Sequence, residues 1–181
     1  MKRFIFITVQ KIPDGWVEVI VQLYGAQARP ITPTVWQIEC DFDDELDGAA
    51  LKDLLEEDFA VAHGVCELSD DQPYDAALIA QALTLAPKRF YDIETLYLKA
   101  VSLDRQYETR FKQWLDQTLS QHLIQTALAF AAHQMNVSQT AQVLFLHRNS
   151  MHYRLSQIKA QCGLDPYRFE TLALLHRLYS L

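Results

Sequence analysis

The segment from Ser138 to Gly163 constrains this chain most, because apolar residues recur in it at helical spacing on both sides of a short break. Ser138 is a suitable N-cap for a first helix of about two turns, since its hydroxyl can accept a hydrogen bond from an otherwise unpaired backbone N–H. The apolar residues that fall on one side of this first helix are Val137, Ala141, Leu144 and Phe145. A turn is expected around Leu146 and His147.

A second helix is predicted from near Arg148 to Gly163, where a left-handed residue would end it. Its apolar residues repeat at i, i+4, i+7 and i+11 and predict a stripe that faces the core. They are Met151, Leu155, Ile158 and Cys162. The opposite face and its two shoulders carry mainly polar residues, namely Asn149, Ser150, His152, Tyr153, Arg154, Ser156, Lys159 and Ala160. The two segments together predict a helix-turn-helix.

The polar face of the second helix is rich in side chains that hydrogen-bond to base edges and phosphates. Acidic residues are absent from Asn136 to Leu164, whereas a merely solvated helix normally mixes Glu with Lys. Composition and spacing alone leave two interpretations open, a DNA-reading face and a structural pair of helices.

The segment resembles the C-terminal helix-turn-helix of the PucR/CdaR-type bacterial regulators, whose pattern reads approximately N-V-S-x-x-A-x-x-L-F-x-H-R-N-T-x-x-Y-R-L-x-x-I and then G-L. The matching residues are Asn136, Val137, Ser138, Ala141, Leu144, Phe145, His147, Arg148, Asn149, Tyr153, Arg154, Ile158, Gly163 and Leu164. Ser150 stands where Thr is usual, which keeps the hydroxyl. The resemblance covers roughly Leu119 to Leu181 and implies a transcription regulator that binds double-stranded DNA.

For such a regulator we expect Ser138 to Phe145 to lie across the DNA backbone while the helix from Arg148 enters the major groove. The side chains expected at base edges are Arg148, Asn149, His152 and Tyr153. Those expected at phosphates are Ser138, Gln139, Ser150, Arg154 and Lys159. Two alternatives stay open, because Arg148 can instead be a structural pairing residue and Tyr153 can pack under the turn.

Charge is segregated along the chain, whose formal net charge is −7. Residues 1–110 hold 10 Lys and Arg against 20 Asp and Glu, a net charge of −10, while residues 111–181 hold 6 against 3, a net charge of +3. The acidic part repels DNA and leaves the C-terminal part as the contact surface. Because +3 is modest, we expect a homodimer that places two recognition helices on two half-sites.

The first hundred residues predict a small α/β layer, a sheet with covering helices, so the expected fold class is α+β. Strands are predicted at Phe4–Val9, Thr34–Phe42, Phe59–Leu68 and Lys88–Tyr91, and the alternation in the second of them predicts a half-buried strand. Helices are predicted at Trp16–Leu23, which would equally suit a strand, after Asp47 and after Pro73.

The family resemblance implies more about this layer, since the segment before the helix-turn-helix is often a degenerate relative of the GGDEF cyclase fold. The order of strands and helices is compatible with a shortened version. The sequence has no GGDEF or GGEEF signature and no acidic pair at the expected hairpin, so cyclase activity is not implied. The longer amino-terminal sensor segment of many family members is not found, which leaves any small-molecule effector unknown.

These patterns divide the chain into three parts. They are an α/β domain at residues 1–104, a linking helix at 105–118 and the helix-turn-helix domain at 119–181. The linking helix has a stripe of Tyr107, Phe111, Trp114 and Leu115. The helix from Leu119 to Met135 is apolar on two sides, and a last helix that opens at Asp165-Pro166 is apolar nearly all round. This excess of apolar surface is expected to support self-association.

Other classes of protein are disfavoured. Cys40, Cys66 and Cys162 form no C-x-x-C pair, which indicates a reducing compartment, expected to be the cytoplasm. The amino-terminal apolar run is too short for a signal peptide, and no segment approaches the about 20 apolar residues of a membrane span. His63 and Cys66 lack a second ligand pair, and catalytic motifs are missing, so no enzyme, metal or cofactor is expected. The rival interpretation is a non-enzymatic protein-interaction module on a helix-turn-helix fold, without DNA binding.

Overall fold

The computed structural model describes residues 2–7, 15, 18, 21–22, 27–40, 53, 56–57, 64–68, 72–86 and 89–180. The chain divides into two compact units, one made of Met1–Asp71 and Asp75–Ala100 and the other of Gln72–Tyr74 and Val101–Leu181. The first unit contains a sheet and the second is helical. The predicted α+β class is therefore confirmed.

The described part of the first unit holds a sheet of five strands in the order β2-β3-β1-β4-β5. The strands are β1 (Lys2–Ile7), β2 (Gln27–Thr32), β3 (Val35–Cys40), β4 (Gly64–Leu68) and β5 (Phe90–Asp92). Strand β1 pairs antiparallel with β3 and β4, β2 pairs antiparallel with β3, and β5 is parallel to β4. The predicted strands at β1, β3, β4 and β5 are confirmed over these residues.

Strand β2 has no counterpart among the predictions, because Pro30 lies within it and proline disfavours a strand. As one of the two edge strands of the described sheet, β2 tolerates the missing backbone donor. The pairing register with β3 shifts between Pro30 and Thr32, as expected for an irregular edge.

The predicted half-burial of β3 is wrong at Gln37, which is fully buried beside the buried Ile38. The Gln37 side chain is accommodated because its polar atoms are paired. Arg29 Nε and Nη2 donate to Gln37 Oε1 at 3.0 and 2.7 Å, and Gln37 Nε2 donates to Glu39. The neighbouring strand β2, which the sequence pattern does not reveal, supplies the arginine.

Helix α1 (Ala76–Leu85) follows the predicted start after Pro73. Its N-cap is Asp75, whose Oδ1 accepts from the backbone N–H groups of Ala77 and Leu78 at 2.8 and 3.0 Å. The buried face of α1 covers β1 and β4. Helix α2 (Ile93–Leu103) is an addition to the predicted elements.

Two further predicted helices are only partly described. Glu18, Val21 and Gln22 are helical, which favours the helix over the strand alternative at Trp16–Leu23. Asp53, Glu56 and Glu57 are helical in the segment predicted to be a helix after Asp47. Asp47 itself and the early part of the predicted strand at Phe59–Leu68 lie outside the described residues.

The second unit contains the helices α3 (Arg105–Thr118), α4 (Gln121–Ala132), α5 (Val137–Val143), α6 (Arg148–Cys162) and α7 (Phe169–Tyr179). Helix α4 packs against α5, α6 and α7. The predicted start of α7 at Asp165-Pro166 is wrong, because the Asp165 carboxylate accepts from the backbone N–H of Tyr167 and forms a turn before the helix. Among the described helices, none combines the length and apolar character needed to cross a membrane.

Candidate nucleic-acid interface

Helix α5 begins after Asn136, so the predicted N-cap at Ser138 is wrong. Asn136 has an extended backbone, and its Oδ1 accepts from the backbone N–H of Gln139 at 3.0 Å. That hydrogen bond satisfies a donor that the helix leaves unpaired. Ser138 and Gln139 consequently lie exposed in the first turn of α5.

The turn between α5 and α6 is tight and contains a left-handed residue, Phe145, with φ of 55°. The backbone N–H of Leu146 donates to Ala141 O at 2.8 Å and closes the turn. The prediction that Phe145 lies on the same side of this helix as Ala141 is wrong, because the Phe145 side chain is 96% exposed, whereas Ala141 and Thr140 are buried. Because the backbone leaves the helical conformation at Phe145, the side chain of this residue does not lie on the apolar face of α5.

Helix α6 begins at its N-cap His147, whose Nδ1 accepts from the backbone N–H of Asn149 at 3.2 Å. It ends at Gly163, which is left-handed with φ of 75°, as predicted. The predicted apolar stripe is fully buried at all four positions, which are Met151, Leu155, Ile158 and Cys162. This burial fixes the rotation of α6 about its axis. The residues thereby exposed include Arg148, Asn149, Ser150, His152, Tyr153, Ser156 and Lys159.

Three of the predicted base-edge residues project freely from the first turns of α6. Tyr153 is 65% exposed, so it does not pack under the turn. Arg148 is exposed, and in the described part of the chain it has no hydrogen bond or ion pair, although its charge acts on the nearby Tyr167 hydroxyl. This exposure argues against a structural pairing role. Asn149 is exposed beside Arg148.

His152 and Lys159, on one shoulder of α6, are engaged by the segment that leads to α7. The His152 Nδ1 atom lies 2.9 Å from the Tyr167 hydroxyl, and the Tyr167 ring packs edge-on against Phe130 with centroids 5.6 Å apart. The Lys159 ammonium forms an ion pair with Asp165 Oδ2 at 2.8 Å. Partial burial works to raise the pKa of Asp165, but the hydrogen bonds from Lys159 and from the Tyr167 backbone lower it overall.

Arg154, on the other shoulder, connects α6 to α4. Its Nη1 donates to Thr126 Oγ1 at 3.2 Å, and Thr126 is fully buried. The Arg154 side chain is half-buried, and a guanidinium has five N–H donors, so this bond leaves donors that can face outward. Ser150 lies exposed one turn earlier on the same shoulder.

A groove of about 510 Å³ runs beside that shoulder, between α6 and the start of α4. Ser120 and His122 line one wall, and Gln157 and Gln161 extend the α6 wall beyond Arg154. Sequence reasoning missed these four residues. Gln157 and Gln161 could have been found, because they continue the Ser150 and Arg154 shoulder at helical spacing. Ser120 and His122 gave no such signal, because only tertiary packing brings α4 alongside α6.

Neither metal-binding nor thiol chemistry is indicated among the other residues that the structure describes. Among the described residues, no three His, Cys, Asp or Glu side chains cluster so that they could hold a metal ion. Cys66 is buried, and burial together with the nearby carboxylates of Asp92, Glu94 and Glu67 raises the pKa of its thiol well above the ordinary value. His63, its partner in the disfavoured metal-site interpretation, lies outside the described residues.

Comparisons with known proteins agree with the resemblance that the sequence shows. Residues 123–178 match the family model of the PucR C-terminal helix-turn-helix domain. The regulator of polyketide synthase expression from Bifidobacterium adolescentis has a similar solved structure, with 14% sequence identity and a TM-score of 0.50 over 98% of this chain and 78% of that one. At this identity the likeness shows the fold alone. A search of curated proteins returns no match.

Proposed function

We propose that the protein is a DNA-binding transcription regulator of the PucR/CdaR type that reads the major groove with α6. The observation that carries this proposal is the exposed polar face of α6, which is held in place by a fully buried stripe and contains no carboxylate. The match of residues 123–178 to the PucR C-terminal helix-turn-helix domain supports it. No enzymatic activity is proposed.

Within this proposal, the residues differ in how freely they can reach DNA. Arg148, Asn149 and Tyr153 are the leading candidates for base edges, because an arginine can fork to guanine and an amide to adenine. His152 and Lys159 have intramolecular partners and would have to release them, so we assign them smaller contributions. The proposed phosphate contacts are Ser138, Gln139, Ser150 and Arg154.

The test begins with a selection from random oligonucleotides, which yields an operator. Arg148→Ala and Asn149→Ala should each weaken binding by about 1 to 3 kcal/mol and relax specificity at one base position, with little effect on thermal stability. Arg105→Ala is the matched control, because Arg105 is exposed at the start of α3. Unchanged operator affinity in both α6 variants would refute the assignment.

The salt dependence of DNA affinity distinguishes this proposal from the rival interpretation, a protein-interaction module without DNA binding. A DNA-binding protein should lose affinity with a log-log slope of about −0.9 for each phosphate that it neutralises. Failure to select any oligonucleotide, or a flat salt dependence, would favour the rival.

We also propose that the functional form is a homodimer. A second groove, of about 490 Å³, lies between the end of α4 and α7 and is lined partly by the apolar residues Ala131, Met135, Phe169 and Leu172. Phe169 is 73% exposed at this groove. Such exposed aromatic surface fits the buried core of a protein interface.

Phe169→Ser should therefore lower the dimer fraction measured by light scattering. It should also weaken binding to a two-half-site operator more than to a single half-site, since dimerisation links the two recognition helices. Leu103→Ser is the control, because Leu103 is also exposed, at 53%, but does not line this groove. A dimer that persists in the Phe169 variant would exclude this face.

The first unit is proposed to be a degenerate, shortened GGDEF-like layer, with which its sheet and covering helix are compatible. Its hairpin between β2 and β3 turns at Pro33 and Thr34 and carries no acidic pair at the turn.

A further inference from the structure

The groove beside α6 extends well beyond the residues assigned to DNA. It reaches from Asn149, in the first turn of α6, to Gln161, in the last. These positions are 12 residues apart, which corresponds to about 18 Å along a helix. The facing wall is the start of α4, at Ser120, His122 and Leu123. The groove is therefore elongated, and it is continuous with the proposed base-reading face at Asn149.

Most of the described residues that line the groove can donate hydrogen bonds. None of these described residues carries a carboxylate, although the chain as a whole has a net charge of −7. One wall presents the Arg154 guanidinium and the amides of Gln157 and Gln161. Gln161 Nε2 lies 3.4 Å from Gln157 Oε1. On the other wall Ser120 makes no side-chain cap to α4, and its Oγ lies 3.0 Å from His122 Nδ1.

We infer that this groove holds the sugar-phosphate backbone of one DNA strand while the first turns of α6 contact base edges. Phosphate oxygens accept hydrogen bonds from arginine, amide, hydroxyl and imidazole groups, and such contacts fix the register of a protein on the duplex without reading sequence. The inference rests on the proposed function and adds Ser120, His122, Gln157 and Gln161 to its contact surface. A second protein would meet a groove whose described lining has seven polar residues and two with a large apolar surface, Leu123 and Tyr153.

Charge substitutions of opposite sign test the inference at two positions that line the groove, the exposed Gln161 and the half-buried Gln157. Gln161→Lys should strengthen binding at low salt and make the log-log salt slope steeper by about 0.9, so that its advantage over the unmodified protein falls about eightfold when salt rises tenfold. Gln157→Glu should weaken binding about fivefold or more, because a carboxylate about 4 Å from a phosphate is repelled even in water. Both effects should be equal for operator and random duplex, since backbone contacts are independent of sequence.

Gln117→Lys and Gln117→Glu are the matched controls, because Gln117 is exposed on α3 and does not line the groove. They make the same changes in net charge and should shift affinity and slope much less. Equal effects at Gln117 and Gln161 would mean that only net charge matters and would overturn the inference. Circular dichroism melts of all four variants check that the fold is retained.

Arg148→Ala separates this inference from the proposed function. If Arg148→Ala weakens operator binding but the groove variants bind normally, the groove assignment fails while DNA reading by α6 stands. If the unmodified protein binds no duplex, the proposed function itself fails. A Gln157→Glu variant with altered mass in light scattering and unchanged DNA affinity would assign the groove to a second copy and overturn the inference.

Discussion

The Tyr179 hydroxyl donates a hydrogen bond to Asp116 Oδ1 at 2.8 Å across 63 residues of sequence. This contact ties α7 to α3, and the Lys112 ammonium lies 4.9 Å from the centroid of the Tyr179 ring. Burial and the adjacent Asp116 carboxylate raise the pKa of Tyr179 above its ordinary value, so the hydroxyl stays protonated and keeps donating into the alkaline range. The two ends of the helical unit are thus linked by a charge-assisted bond.

Replacing Tyr179 by Phe should lower the free energy of unfolding by about 1 kcal/mol, because Asp116 loses a donor but remains accessible to water. Urea denaturation followed by circular dichroism measures the change. Tyr153→Phe is the control, because Tyr153 is exposed and should change stability by less than about 0.5 kcal/mol. Equal effects of the two substitutions would contradict the role given to the Asp116 bond.

The position of the cap on α5 is tested by comparing Asn136 with Ser138. Asn136→Ala should cost about 1 kcal/mol of stability, because it removes the acceptor for the Gln139 backbone N–H. Ser138→Ala should cost much less, since its side chain caps nothing in the helix. A larger loss for Ser138→Ala in thermal melts would restore the cap predicted from sequence.

Gly163 should be irreplaceable at the end of α6. Its φ of 75° disfavours any other residue by about 1 to 2 kcal/mol, and an added Cβ would lie 2.6 Å from Gln72 Cγ and overlap Pro73 O. Gly163→Ala should therefore destabilise the protein by more than about 2 kcal/mol in urea denaturation. Ala160→Gly, on the exposed side of the same helix, should cost only about 1 kcal/mol. A Gly163→Ala loss no greater than that of the control would show that the surrounding chain adapts.

The Lys159–Asp165 pair predicts a small, pH-dependent contribution to stability. Because the pKa of Asp165 is lowered in the folded protein, this contribution is present above the ordinary carboxyl pKa and is lost as pH falls through the lowered value. Lys159→Gln should cost less than about 1 kcal/mol at pH 7, since Lys159 is 59% exposed in its side chain. The difference from the unmodified protein should shrink in urea titrations from pH 7 towards pH 3. A difference that grows on acidification would contradict the pairing.

The helix-turn-helix could be predicted because its signals are local. The stripe of α6 repeats at helical spacing, and Gly163 supplies the left-handed end, so both can be read from neighbouring residues. The same spacing correctly identified the exposed face of α6, including Asn149 and Tyr153.

The predictions that were wrong concern residues that compete for one structural role, residues at the end of a helix, and residues whose partners are distant in sequence. Two capping residues, Asn136 and Ser138, compete within one turn, and only the backbone geometry selects Asn136. Phe145 fits the helical spacing of α5 but lies just beyond its end. Gln37 looked like a solvent-facing strand residue because its partner, Arg29, lies on a strand interrupted by proline.

The sequence by itself determined which helical face is buried, because hydrophobic periodicity acts within a single element. Only the tertiary structure decided what lies beside that face. It pairs His152 with Tyr167 and Lys159 with Asp165, and it brings Ser120 opposite Gln157. The side chains in these pairs are between 6 positions apart in sequence, for Lys159 and Asp165, and 37 positions apart, for Ser120 and Gln157. They meet through packing between elements, and the spacing within one helix does not encode which side chains meet.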